Sequence, residues 1–252
     1  VCEYQFRKAE KWLAQRLLAE AAAIGITSLA ASGDAGFLGC DIQKPGANFP
    51  ASSRFVTAVG GTNLGLDSGN SILSQPVWST YAKKPSQGAG TGGGPSRFWP
   101  RPAFQVAPGL TPALQRGRKT RLLPDLAAMA SFSPGIATYE QGTGGWGPGG
   151  GTSAATPLTA AIVALVLQQE EKAGRPPLGL ITPLLYKLSQ GGGYSQYFRD
   201  VTTGTSSRKP RTAVGKTPAG GAAQPGYDLA TGLGSLRATA FADAVAAMAP
   251  SP

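Results

Sequence analysis

The sequence contains no histidine in its 252 residues. That absence removes the base that usually takes the proton from a nucleophilic serine. Only two cysteines are present, Cys2 and Cys40. So far apart, and with no histidine beside them, they exclude a zinc site built from cysteine and imidazole. Acidic residues are few, 13 against 23 Lys and Arg. No apolar run approaches the roughly 18 residues of a membrane span. No charged-then-apolar leader opens the chain, which begins at Val1 and reads as a processed product or a fragment.

Glycine and proline, by contrast, are plentiful: 36 and 21 residues. They are spread along the chain, which suggests many tight loops between buried elements. The length suits one large α/β domain with a full core, or two small ones. A net charge of +10 raises the question of nucleic acid. The basic residues fall into scattered groups: Arg7/Lys8/Lys11, Lys83/Lys84, Arg116/Arg118/Lys119/Arg121 and Arg208/Lys209/Arg211. None is interleaved with stacking aromatics, and no recognition-helix pattern appears. They read as solvated surface, with no nucleic-acid partner.

Residues 3–24 repeat at helical spacing, with Phe6, Ala9, Leu13, Leu17, Ala21 and Ile24 on one face and charges opposite. Gly25 stops this helix. Residues 26–31 then read as a strand buried on both faces of a parallel sheet. A second such strand is expected at 55–59, closed by Gly60 and Gly61. Helix, buried strand and loop make the α/β rhythm. Residues 86–112, carrying TGGGPSRFWPRP, are expected to be loop, and 124–130 another buried element. Residues 139–151 should turn tightly into a helix spanning about 154–172 that is apolar almost all round, and so deep in the domain. Thr182-Pro183 should cap a short helix, Ser235 should open the last one, and 202–224 reads as a long exposed loop. Gly142-Thr143-Gly144-Gly145-Trp146-Gly147 satisfies the dinucleotide fingerprint. Trp146 and Pro148, however, stand where its helix should begin, so it reads as a glycine-rich turn.

Two stretches carry chemistry. GGTSAATP, residues 150–157, sets Ser153 at a helix start behind glycines; SGDAG, residues 32–36, sets Asp34 at the carboxyl end of a buried strand. Functional groups gather at such strand ends in doubly wound proteins. GTSAATP resembles the nucleophile motif shared by subtilisins and sedolisins, the serine-carboxyl peptidases. At the strand end subtilisins carry asparagine; Asp34 is similar to the sedolisin pattern. FPASSRFVTAVGGTNL (49–64), TGGGPSRFWPRPAFQ (91–105) and LPDLAAMA (123–130) also resemble sedolisin segments. GRPPLGLITPLLY (174–186) is similar to the tripeptidyl-peptidase I branch.

The resemblance implies a subtilisin-like, doubly wound α/β fold: a mostly parallel sheet with helices on both faces. Residues 1–252 would be the C-terminal portion of one peptidase domain. It implies that Ser153 attacks the scissile carbonyl and that Asp34 stabilises the oxyanion. A peptide or protein substrate would lie along residues 91–94, with Gly92, Gly93 and Thr152 in the binding groove. In the family a glutamate, oriented by an aspartate, activates the serine, so the lack of histidine is expected. A carboxylate base suits acidic conditions. That Glu-x-x-x-Asp helix would lie well upstream of SGDAG. The acids of the first helix here, Glu3, Glu10 and Glu20, contain no such pair and read as exposed charges. The expectation is therefore that this chain alone is inactive. Either this is part of a two-chain or truncated enzyme whose other piece supplies the base, or the protein is a non-catalytic binding or structural relative.

DVTTG (200–204) and PGYDLATGLGS (225–235) resemble the family's calcium site. The implied ligands to one structural Ca2+ are the Asp200 and Asp228 carboxylates with the carbonyls of Val201, Gln224 and Gly226. The alternative is that both aspartates only cap turns. Composition leaves Cys2 and Cys40 open as a disulfide or as two buried thiols. The expectation is a disulfide tying the helix start to the loop beside Asp34. An acidic compartment outside the cytoplasm is implied by the family and by the carboxyl chemistry.

Overall fold

The structure, a computed structural model, describes residues 1–37, 39–40, 46–83, 88–106, 119–207 and 220–248. The first helix, α1 (Lys8–Ala23), follows a short 3-10 turn at Glu3–Gln5. The Glu10 carboxylate accepts from the Arg7 amide at 2.8 Å, filling an amide at the helix start that has no partner within the helix. The strands are β1 (Leu29–Ala31), β2 (Ala35–Phe37), β3 (Thr57–Thr62), β4 (Gly65–Leu66), β5 (Ile72–Ser74) and β6 (Gly90–Pro100). There follow β7 (Thr120–Leu123), β8 (Leu126–Met129), β9 (Ile136–Glu140) and β10 (Gly145–Gly149). Next come α2 (Thr152–Lys172), α3 (Thr182–Leu188), α4 (Tyr194–Tyr197), β11 (Phe198–Arg199), β12 (Ser235–Leu236) and α5 (Ala238–Met248).

One sheet has the order β1-β3-β8 and is parallel throughout, with Leu29 opposite Thr57 and Val59 opposite Leu126. Its two faces are covered by different helices. Leu29 and Val59 cluster with Ala155 of α2, whereas Ala30 and Ala58 cluster with Leu18 of α1. This is the expected α/β arrangement of a parallel sheet with helices on both faces. A second sheet, β2-β6-β7, pairs β2 with β6 in parallel and β6 with β7 antiparallel. The largest core cluster lies beside it, built from Phe37, Leu122, Val163, Leu185, Leu229 and Phe241 among others.

Several expectations need correction. The helical periodicity is present in α1, but its apolar stripe faces outward: Leu13, Leu17 and Ile24 are 61%, 56% and 74% exposed. The helix docks instead through Leu18, through Trp12 against Phe98 and Trp99, and through polar contacts. Buried Lys11 donates to the carbonyls of Glu3 and Phe6 at 2.8 and 2.7 Å, and Gln15 accepts from Ser53 at 2.6 Å. Glu3, expected on the exposed face, is buried; it accepts from Ser96 Oγ and from the Arg97 amide. Glu10 and Glu20 are exposed beside Arg7 and Arg16, as expected. Among the basic groups, Lys11 and Arg121 are buried, while Arg7, Lys8, Lys83 and Lys119 are exposed. Lys84, Arg116, Arg118, Arg208, Lys209 and Arg211 lie outside the described residues.

The first strand is shorter than expected, and β3 runs through Gly60 and Gly61 rather than stopping there. These glycines are packing positions: a Cβ on Gly61 would lie 2.6 Å from Ala130 Cβ. The segment expected as loop contains β6, eleven residues with Trp99 buried inside. Its glycines present main chain rather than side chains to β2 and β7, so no apolar alternation marks it. Residues 139–149 belong to the β9–β10 hairpin. Ser235 lies in β12, and the last helix begins at Ala238. Within 202–224, residues 202–205, 222 and 224 are exposed, as expected, although Ser206 and Gly221 are buried and Thr205 bridges to Ala222; residues 208–219 lie outside the described residues.

Helix α2 is long and apolar enough, by length and composition alone, to cross a membrane. Here it lies across the β1-β3-β8 sheet, with Ala155, Val163 and Val166 buried. It is not as deep as its composition implied, because Leu158 and Leu165 on its other side are exposed.

Candidate active site

The site begins where β1 ends. The Ser32 amide donates to Val59 O at 2.9 Å, and its hydroxyl donates to Gly92 O at 2.8 Å. The following turn needs Gly33, whose φ is +108°. The Gly33 carbonyl accepts from the Gly92 amide at 2.6 Å, and the Asp34 carbonyl accepts from the Gly90 amide at 2.9 Å. Strand β6 thus fixes the backbone of the SGD loop from one side.

Helix α2 fixes it from the other. The Gly33 amide donates to Thr152 Oγ1 at 3.1 Å. Asp34 Oδ1 accepts from both the Thr152 amide and the Thr152 hydroxyl, each at 2.7 Å. Asp34 therefore occupies the N-terminus of α2, where unpaired amides and the helix dipole favour an oxygen acceptor. Gly151, with φ +79°, allows this approach, since a Cβ there would lie 2.6 Å from Asp34 Oδ2. Both Thr152 donors are directed at Oδ1, so a proton on Asp34 belongs on Oδ2. Ser153, second residue of α2, is exposed, as is Asp34, whereas Thr152 is buried between them. The two expected chemical residues are thereby brought to one helix end.

The structure brings no base to Ser153 among the described residues. Among the described residues, no carboxylate other than Asp34 hydrogen-bonds to residues 151–153. Gly92 and Gly93, expected along the substrate groove, pack within the sheet here. Both are buried in β6 between β2 and β7, and the amide and carbonyl of Gly92 are already engaged by Gly33 and Ser32. A Cβ on Gly93 would run into Leu229 O, so this glycine also serves close packing. Thr152 holds Asp34 and Gly33 and stands beside the open face.

Asp200 and Asp228 come together across residues 224–228. Asp200 Oδ1 accepts from Tyr194 Oη at 3.0 Å and Oδ2 from the Gly226 amide at 2.9 Å. Asp228 Oδ1 accepts from the amides of Ala230 and Thr231, both at 2.8 Å, and Oδ2 from the Gln224 amide at 3.0 Å. Burial pushes the Asp228 carboxyl up to about 6, against the lowering effect of the Thr231, Gln224 and Ala230 amides. Burial, followed by the charge of Asp200, pushes the Tyr194 phenol well above its usual range. Among the described residues no group of three or more Asp, Glu, His or Cys gathers. No Lys or Arg among the described residues pairs with Asp228, and buried carboxylate oxygens of this kind suit a hard divalent ion. Cys2 and Cys40 form a disulfide.

A parallel sheet with helices on both faces, and a helix that starts beside a strand-end carboxyl with a serine at its second position, define a subtilisin-like fold. The model of the Subtilase family matches residues 8–183. The chain is 37% identical over 224 residues to kumamolisin of Bacillus sp. (strain MN-32), covering 87% of this chain and 36% of that protein. It is 32% identical over 232 residues to tripeptidyl-peptidase 1 of Homo sapiens, covering 86% and 37%. Its fold matches the solved Pseudomonas sedolisin, a serine-carboxyl proteinase, with a TM-score of 0.78, 27% identity and coverage of 98% and 63%. The chain belongs to the subtilase family, in its sedolisin group. It spans about a third of the length of the curated relatives it matches.

Proposed function

We propose that this chain carries the nucleophile and oxyanion half of an acid-acting serine-carboxyl peptidase. The observation that supports this most is the double hydrogen bond from Thr152 to Asp34 Oδ1, which sets a carboxyl beside Ser153. In this reading Ser153 Oγ attacks the peptide carbonyl, and its proton passes to a glutamate from a segment outside this chain. Asp34, protonated on Oδ2, donates to the oxyanion as it forms. The carbon–nitrogen bond then breaks, the amine takes the proton from that glutamate, and an acyl-enzyme remains on Ser153. Water, deprotonated by the same glutamate, releases the acid product and restores the hydroxyl. The base would come from a second chain or from further sequence of the same protein.

The Asp200 and Asp228 carboxylates, with the carbonyls of Val201, Gln224 and Gly226, would hold one Ca2+. The ion would supply charge compensation to a buried turn, away from the reaction. A place outside the cytoplasm, in an acidic compartment, accords with the disulfide and with carboxyl chemistry. The competing reading is a sedolisin-like binding protein without turnover, favoured by the lack of a base near Ser153 among the described residues. The deciding experiment combines this chain with the sequence that precedes it in its gene and assays peptide cleavage in acidic buffer. Turnover that Ser153→Ala removes supports the peptidase. Peptide binding with no Ser153-dependent turnover overturns it.

A further inference from the structure

The SGD loop has a third anchor besides β6 and α2. The Asn48 side-chain amide donates to the Ser32 carbonyl at 2.8 Å. Its nitrogen also fills the space against Gly33, where a Cβ would collide with it. Asn48 itself is held by its main chain. Cys2 and Asn48 form an antiparallel bridge, the Phe49 amide donates to Val1 O at 2.8 Å, and the Ser52 amide donates to Asn48 O at 2.9 Å. The disulfide closes the same corner, with Cys40 Sγ 3.2 Å from Asn48 Oδ1. Among the described residues this side-chain donor to the Ser32 carbonyl is therefore backed by the strand bridge to residues 1–3, of which the Phe49–Val1 bond is part, by the Ser52 amide, and by the neighbouring disulfide.

We propose that Asn48 is a positioning residue for Asp34. It fixes the peptide plane between Ser32 and Gly33 and so sets the direction in which the Asp34 carboxyl leaves the loop toward the start of α2. The catalytic meaning of this placement rests on the peptidase reading above; the placement itself does not. Ser32 O, Gly33 and Asp34 are consecutive, so rotation of one peptide plane swings the next side chain. Three anchors meet on these residues: Gly90 and Gly92 hold the carbonyls of Asp34 and Gly33, Thr152 holds the Gly33 amide, and Asn48 holds the Ser32 carbonyl. Removing the Asn48 amide leaves that carbonyl unanchored on the side facing Gly33. The same peptide plane is then held only at its other end, by Thr152 Oγ1 on the Gly33 amide, and Gly33, with no side chain, adds no steric barrier to its tilting.

The test reads the geometry rather than catalysis. In the 15N-labelled full chain, the Thr152 amide resonance should follow the protonation of Asp34 as acid is added, and Asp34→Asn should abolish that response. Asn48→Asp keeps the shape and loses the donor; Asn48→Ala loses both. Either is expected to at least halve the response and to speed deuterium exchange at Thr152 by about ten-fold, the scale of one lost hydrogen bond. Tyr227→Phe serves as the control. It removes a buried hydroxyl that donates to Pro124 O at 3.1 Å, and it should leave the Thr152 curve in place. Curves for both Asn48 variants that superimpose on wild type overturn the proposal, as does an equal change in Tyr227→Phe. If neither Asn48 variant folds, the wild-type protein still decides. The Asn48 side-chain amide must shift with the same midpoint as Thr152, and a resonance that does not follow overturns it. Since no step requires turnover, an inactive protein leaves this result intact.

Discussion

Arg121 and Asp125 meet as a bidentate pair from which solvent is fully excluded, both side chains being 0% exposed. Arg121 Nη1 donates to Asp125 Oδ1 at 2.6 Å, and Nη2 donates to Oδ2. The same carboxylate accepts from the Ala58 amide at 2.8 Å and from Tyr186 Oη at 2.9 Å, so one side chain joins β3, the end of β7 and α3. The pair holds together the sheet that carries the SGD loop, because β3 lies beside β1. Burial raises the Tyr186 phenol far above its usual range, so it remains a donor to Asp125.

Arg121→Met is expected to destabilise the protein by about 3–5 kcal/mol, because Asp125 is left as an uncompensated buried charge. Urea unfolding followed by circular dichroism measures this. A loss below about 1 kcal/mol, the scale of an exposed pair, would mean that water reaches the site.

The physics of Arg121 also explains which parts were legible beforehand. A basic residue among Arg116, Arg118 and Lys119 looks solvated, since nothing local in the sequence announces that Asp125, Tyr186 and Ala58 converge on it. Motifs whose chemistry sits on adjacent residues were legible. SGDAG and GTSAATP each carry a strand or helix end together with its functional group, and the structure joins them through Asp34 and Thr152. Patterns that depend on what covers a face were not. The stripe of Leu13 and Leu17 is a true helical period, yet no described residue buries it. Strand β6 escaped because glycine main chain, rather than side-chain alternation, makes its contacts.

The Cys2–Cys40 disulfide closes a loop of 38 residues. Cross-linking a loop of that size removes unfolded-state entropy worth about 3–4 kcal/mol on the chain-entropy account. Cys2→Ser with Cys40→Ser should lower the unfolding free energy by about that amount. Titration of denatured, unreduced wild-type protein should find no free thiol; finding both would remove the link.

Asp228 supplies the pH dependence. Its folded pKa, raised to about 6 by burial, lies above the ordinary carboxyl value, so the folded state binds the proton more tightly than the unfolded one. In chelator, the stability this gives is fully present below about pH 4 and is lost as pH rises through about 6, on the order of 3 kcal/mol. Added Ca2+ should restore much of the loss above pH 6, where the carboxylate is charged, and should do little below pH 4. Asp228→Asn should flatten the curve in chelator and abolish the calcium response. A melting temperature indifferent to both calcium and pH would count against a cation there and against an uncompensated buried carboxylate.

Asp34→Asn tests the oxyanion role directly. An asparagine can keep its carbonyl oxygen on the Thr152 amide and hydroxyl, where Oδ1 now accepts at 2.7 Å, and can place its amide nitrogen where Oδ2 lies. It would then donate to the oxyanion at any pH, whereas Asp34 donates only while protonated. In the complete assembly, wild type can donate to the oxyanion only with a proton on this carboxyl, and a carboxylate in its place repels the forming negative charge. The Asn variant should escape both effects at this residue and decline less steeply toward neutrality. Asp34→Ala loses the donor altogether, and turnover should fall by about a hundred- to a thousand-fold at acidic pH with the chain still folded. Steady-state kcat profiles of the three proteins across the acidic to neutral range check this. If Asp34→Ala keeps wild-type turnover, or if Asp34→Asn declines as steeply as wild type, Asp34 is only the cap of α2, and the oxyanion must be held by other donors.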